Sequence, residues 1–235
     1  MKILLAIAIF FLLTGCETAQ QVLNGMNTGT PALSTAEIAS GLREALRIGT
    51  QNSTGRLAAA DGFFANAAVK ILMPEEAKKV ESTLRSIGLG SLVDKAVLSM
   101  NRAAEDAAKS ATPIFVDAIR TMTITDALGI LKGGDYAATN YFKDKTTVSL
   151  TNAFRPVIEK ALTKVDATKY WNDVFTAYNK FAAKPVNTDL AGYVTERALA
   201  GIFYEVAQEE LQIRKDPAAR VTELLKKVFG GGNQQ

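Results

Sequence analysis

The chain has 235 residues, 48% of them hydrophobic and 22% charged, with a formal net charge of +3, one cysteine and no histidine. The missing histidine excludes a Ser-His-Asp triad, a Cys-His pair, His-ligated zinc and imidazole acid–base chemistry near neutral pH. The single cysteine excludes an internal disulfide and any cysteine-cluster metal site. Lys and Arg are interspersed with Asp and Glu, so neither a nucleic-acid-binding stripe nor a polybasic membrane patch is present.

At the N-terminus, Met1 and Lys2 precede an unbroken apolar run over residues 3–13. That run is too short to span a bilayer as a helix and has the length of a signal-peptide core. It ends in Leu13-Thr14-Gly15-Cys16, which resembles the bacterial lipobox. The resemblance implies removal of residues 1–15 and acylation of Cys16 with chains such as palmitate, which makes the one thiol an anchor and not a nucleophile. Glu17 stands where an aspartate would resemble an inner-membrane retention signal. By that resemblance the protein is expected on the periplasmic side of the outer membrane of a diderm host. Residues 16–33, rich in Gln, Asn, Gly and Thr, read as the lipidated cysteine and a flexible tether.

Helical patterns follow. Ser34-Thr35-Ala36-Glu37 has the form of a capping box, and Ile38, Leu42, Ala45 and Leu46 continue at helical spacing. The small and polar stretch 52–62 predicts a helix end and a turn, and Phe63-Phe64 introduces an apolar run at 67–72. Pro74 opens the next helix in the favoured first turn, with Glu75 and Glu76 complementing the dipole, and Gly88 and Gly90 close it. A long amphipathic helix from Ser91 buries Leu92, Val93, Ala96, Val97, Met100 and an alanine stretch that admits a close helix neighbour.

Thr112-Pro113 breaks that helix, with Thr112 as cap for residues 114–122, and Thr123 to Asp126 repeats the capping pattern before a short helix closed by Gly133-Gly134. Asp135 is expected to cap residues 136–142. Further helices fit residues 148–165, bent near Pro156, and 168–181, 190–214 and 217–229. No segment alternates long enough for a strand. The prediction is one all-α domain of about eight to ten helices over residues 34–230, with a frayed tail at 231–235.

Asn101-Arg102-Ala103-Ala104-Glu105, Thr112-Pro113-Ile114-Phe115, Asp126-Ala127-Leu128-Gly129-Ile130-Leu131 and Ala137-Ala138-Thr139-Asn140-Tyr141-Phe142 together resemble the bacterial domain-of-unknown-function family 4197. The C-terminal run from Glu209-Glu210 through Asp216-Pro217 to Gly230 resembles it too. The resemblance implies a secreted or lipid-anchored helical protein and supplies no catalytic residues.

Without histidine, chemistry would rest on carboxylates, a Ser-Lys dyad or an acid-bound metal. Glu205 and Glu209 share one helix face, which reads either as an exposed surface or as an acid–base or cation-binding pair. Glu209-Glu210 with Arg214 reads as surface charge pairing. Arg102 and Glu105, three apart, form either a half-buried structural network, with Asp126 a further partner for the arginine, or an anion-binding site. Arg214 and Arg220 flank the Asp216-Pro217 turn beyond what capping explains, as cross-helix ion pairs or as an anion site. Trp171, Phe175 and Tyr178 form one helix stripe, a core row or an apolar groove.

From these residues the expected function is non-enzymatic: a cell-envelope lipoprotein whose helical domain binds a protein or envelope component, without a cofactor, metal or nucleic acid. A carrier with an apolar pocket lined by Trp171, Phe175 and Tyr178 is the alternative. An enzyme using Glu105, Asp126 or Glu205 is the third.

Overall fold

The computed structural model describes residues 34–180, 185–186, 188–216, 218, 220, 226 and 228. The expected signal peptide, Cys16, the tether to residue 33 and the tail lie outside the described residues, as does most of the helix expected at 217–229. All regular structure among the described residues is helical. In chain order it comprises α1 (Thr35–Ala58), a 3₁₀ turn (Glu75–Ala77), α2 (Lys78–Ser86), α3 (Gly90–Ala108), α4 (Ala111–Thr121), α5 (Ile124–Lys132), α6 (Ala137–Thr163), α7 (Ala167–Asn179) and α8 (Leu190–Lys215). The all-α expectation holds. No helix among the described residues is long and apolar enough to cross a membrane.

The centre is built on α6, which packs against α8 on one side and α3 on another, while α1 lies across α8, α4, α3 and α5. Its buried residues include Ala138, Phe142, Thr146, Leu150, Phe154, Ile158 and Leu162. A four-residue spacing overshoots the 3.6-residue turn, so this row winds around the helix and meets different neighbours along its length. Phe115 of α4 meets Phe142 edge-on at 5.2 Å and Phe203 of α8 at 6.2 Å.

The winding row explains why α6 is one helix where the sequence suggests two. Residues 143–147 read as polar, but Thr146 continues the buried row and its hydroxyl donates to the Phe142 carbonyl at 2.6 Å. The helix also runs through Pro156. Likewise α1 does not end near residue 52. Thr50, Ser53 and Thr54 donate their hydroxyls to the carbonyls four residues back, which satisfies them without water. The missing side chain at Gly49 lets α8 approach until a Cβ there would sit 3.6 Å from Ile213 Cδ1.

Two expected caps are replaced. Thr112 lies inside α4, and its hydroxyl meets that of Thr54 at 2.7 Å. Asp135 pairs instead with Lys215 at 2.7 Å, and α6 obtains its cap from Glu210 of α8. The Thr123 box is present as expected: the Thr123 hydroxyl accepts the Asp126 amide and the Asp126 carboxylate accepts the Thr123 amide. The Thr123 hydroxyl and then its amide hold the Asp126 carboxyl below its ordinary value.

Thr123→Ala is expected to lower stability by about 1 kcal/mol at neutral pH, read as a shift in denaturation midpoint. A carboxyl lowered by folding adds stability above its unfolded value and loses it as the pH falls through the folded one. The deficit should therefore narrow on acidification below the carboxylate range. A deficit unchanged in acid would remove Asp126 from the account.

Candidate functional site: a cleft between α1, α3 and α6

The C-terminal half of α3 forms one wall of an open cleft of about 520 Å³. Ala58 at the end of α1, Ala103 of α3 and Ala161 of α6 line it, and Leu98 and Val165 border it. Alanines where these helices meet leave the space that larger side chains would fill. Leu98 is 37% and Val165 54% exposed.

Four charged residues of the α3 stretch also border the cleft: Arg102, Glu105, Asp106 and Lys109. Arg102 donates to Glu105 at 2.6 Å and to Asp61 at 2.7 Å, while Lys109 pairs with Asp106 at 2.8 Å. Glu105 is the buried member, with its side chain 6% exposed against 43% for Arg102. This reverses the expectation of a half-buried arginine in need of a carboxylate. The second oxygen of Glu105 accepts the amides of Phe63 and Phe64, each at 3.2 Å.

Those two amides belong to the turn after α1, whose backbone is special. Asp61 has a φ of 67°, and a Cβ on Gly62 would lie 2.3 Å from the Arg56 carbonyl oxygen. Only glycine fits there. Glu105 therefore ties a tight turn to α3, and Arg102 bridges Glu105 to Asp61 across it. Although Glu105 and Asp106 both border the cleft, they face different cations, so the pair does not form an acid–base couple.

Several sequence-based expectations are corrected. Asp126 does not join Arg102; it completes the cap of α5. Glu205 and Glu209 are not on an exposed face. Both carboxylates are buried between α8 and α1 and pair with Arg56, and Glu205 also accepts from Asn66 at 3.0 Å.

Glu210 and Arg214 are likewise interior, with side chains 5% and 13% exposed. Arg214 and Arg220 do not converge on an anion. Arg214 donates to Glu210 and to the Ile130 carbonyl of α5, each at 2.8 Å. Arg220 does cap, against expectation: it donates to the Ile213 and Arg214 carbonyls at the end of α8.

Trp171 and Phe175 are buried core residues, their rings 4.4 Å apart, with Tyr178 packed on Phe175 at 6.2 Å. They do not line the cleft. Leu92, expected in the core, is 53% exposed. Sequence reasoning missed Arg56 and Asp61, whose partners are distant in the chain and leave no local pattern. It also missed Asn101, which did leave one, as a polar residue within the buried face of α3. No group of three or more acidic or cysteine side chains suited to a metal occurs among the described residues.

A family model described as "Protein of unknown function (DUF4197)" matches residues 32–230. No curated protein and no solved structure matches the chain.

Proposed function

Since the chain belongs to the DUF4197 family of proteins of unknown function, we propose, from its own residues, that it is a lipid-anchored cell-envelope protein that acts by binding, and that the cleft beside α3 holds a segment of a partner envelope protein. The observation that carries this reading is the cleft itself, open, alanine-lined and bordered by exposed Leu98 and Val165. Its volume lies in the range of recognition pockets. Its charges are already matched, so an occupant gains most by covering the apolar wall and meeting the paired rim with polar groups.

A carrier with a pocket inside the bundle has less support, because Trp171 and Phe175 are packed against each other and buried. Anchoring rests on the apolar run at residues 3–13 and the Leu13-Thr14-Gly15-Cys16 sequence. Each buried acyl methylene adds about 0.8 kcal/mol, so two or more chains hold a protein firmly on a membrane. The periplasmic face of the outer membrane is the proposed location.

Photo-crosslinking residues placed at Leu98 and Val165 in intact cells should give the same discrete protein adduct, whereas Val148, exposed near the middle of α6, should give none. Ser99→Trp, which fills the cleft from α3, should abolish the adduct while circular dichroism stays unchanged. Equal labelling from Val148, or adducts that persist in Ser99→Trp, would remove the cleft from the proposal.

A further inference from the structure

The turn between α2 and α3 presents a second apolar surface, of residues that do not line the cleft. Ile87, Leu89 and Leu92 are 64%, 41% and 53% exposed. They lie within six residues of one another where α2 ends and α3 begins. The main packing partner of α2 is α3, and no residue of α2 is buried. Ordinarily such a surface costs solubility, and large aliphatics gathered at one exposed turn mark a contact site.

Four backbone amides of the tip are bonded within it. The Ile87 amide donates to the Thr83 carbonyl at 3.2 Å, Gly88 to Arg85 at 3.2 Å and Leu89 to Leu84 at 2.8 Å. Gly88 has a φ of 83°, the left-handed geometry that lets the chain fold back onto the end of α2. The Leu92 amide donates to the Leu89 carbonyl at 3.0 Å, and the Ser86 hydroxyl to the Thr83 carbonyl at 2.8 Å. Arg85, the nearest cation, is held by Glu81 at 3.0 Å and Asp94 at 2.8 Å. Taking this turn out of water leaves those amides paired, which lowers the cost of entering hydrocarbon.

We infer that the Ile87–Leu92 turn is a membrane-inserting tip that seats in the lipid surface carrying the protein's acyl anchor. This rests on the anchored reading proposed above. Three features favour lipid over a protein partner. The surface is aliphatic, with none of the Trp, Tyr or free Arg that anchor protein interfaces. Acidic and basic residues balance over residues 75–95, so the tip suits zwitterionic lipid without a polybasic attraction. The anchor also keeps the domain beside a bilayer: residues 17–34 reach at most about 60 Å when fully extended. Insertion of about 5–10 Å, to the headgroup–acyl boundary, is enough to cover the three side chains.

The test uses the full lipidated protein in phosphatidylcholine–phosphatidylethanolamine vesicles. Cys16 is the only cysteine and acylation blocks it, so Leu89→Cys or Ile87→Cys each supplies a unique thiol for an environment-sensitive fluorophore. Val148→Cys is the control. The expected result is a blue-shifted probe at 87 and 89, quenched several-fold more by a lipid-phase nitroxide than the probe at 148. It should also be shielded from aqueous iodide and unchanged between low and high salt.

Iodide-accessible probes at 87 and 89 would overturn the inference. So would shielding that appears only at high protein density without lipid-phase quenching, which would mark a second copy of the chain as the occupant. Alkylation of Cys16 in the denatured parent protein reports separately on the anchor. If that thiol reacts, the anchored reading fails, and lipid-phase quenching at 89 with vesicles added to the protein still decides the tip.

Discussion

Replacing Glu210 with alanine is expected to lower the unfolding free energy by about 3–5 kcal/mol, a large part of the total stability of an ordinary domain. One oxygen of Glu210 accepts the Ala138 amide at 2.9 Å and both Nε and Nη2 of Arg214, while the other accepts the amide and the hydroxyl of Thr139, each at 2.8 Å. Ala138 and Thr139 are the second and third residues of α6, whose own N-cap, Tyr136, offers no side-chain bond. The carboxylate on α8 thus caps α6 from outside and faces the positive end of its dipole.

Arg214 completes the arrangement by donating to the Ile130 carbonyl at the C-terminal end of α5. The Glu210–Arg214 pair consequently joins the end of one helix to the start of the next. Removing the carboxylate leaves a buried guanidinium and two buried amides without their partner. Glu210→Gln should fall between, since it keeps one acceptor but turns an amide group toward existing donors. Urea denaturation followed by circular dichroism measures both. A loss below about 1 kcal/mol for Glu210→Ala would mean the site relaxes or admits water.

The same residues show how far the sequence could be read. Helical class, the Thr123 box, the Gly88 and Gly133 stops and the Trp171–Phe175–Tyr178 row are local signals, set by spacing within a few residues, and all are present. The Arg102–Glu105 pair was legible for the same reason. What was illegible is long-range: Glu205, Glu209 and Glu210 look like a solvated acidic face because nothing near them announces Arg56 or the start of α6. Polar stretches misled in the same direction. Residues 143–147 and 52–62 look like helix ends, yet hydroxyls that bond back to the i−4 carbonyl let Thr146, Ser53 and Thr54 be buried within helices.

Among the described residues, the buried carboxylates Glu105, Glu205, Glu209 and Glu210 each hold an arginine, and most of them also hold backbone or side-chain amides. They are used to fasten helices and turns. Exposed apolar surface remains for recognition, including the cleft wall at Leu98 and Val165 and the tip at Ile87, Leu89 and Leu92. The binding role proposed above draws on such surface.

Asn101→Ala is the second substitution expected to be severe, at about 3 kcal/mol from two stranded backbone groups. Asn101 is fully buried on α3. Its side-chain oxygen accepts the Ile71 amide at 2.8 Å, and its nitrogen donates to the Ile71 carbonyl at 2.8 Å and the Val97 carbonyl at 2.7 Å. The side-chain amide thereby does for the irregular segment around Ile71 what a neighbouring backbone would do, and holds it against α3 with Ile71 itself fully buried. Alanine strands both groups of Ile71 and opens a small cavity. Asn101→Asp keeps the shape but points an anion at the Ile71 and Val97 carbonyls, so it should be at least as damaging at neutral pH. Amide hydrogen exchange gives the sharpest readout: protection at Ile71 should fall in Asn101→Ala by more than the global loss of stability accounts for. Equal losses at Ile71 and in the centre of α6 would mean that Asn101 stabilises the whole fold without specifically fastening this segment.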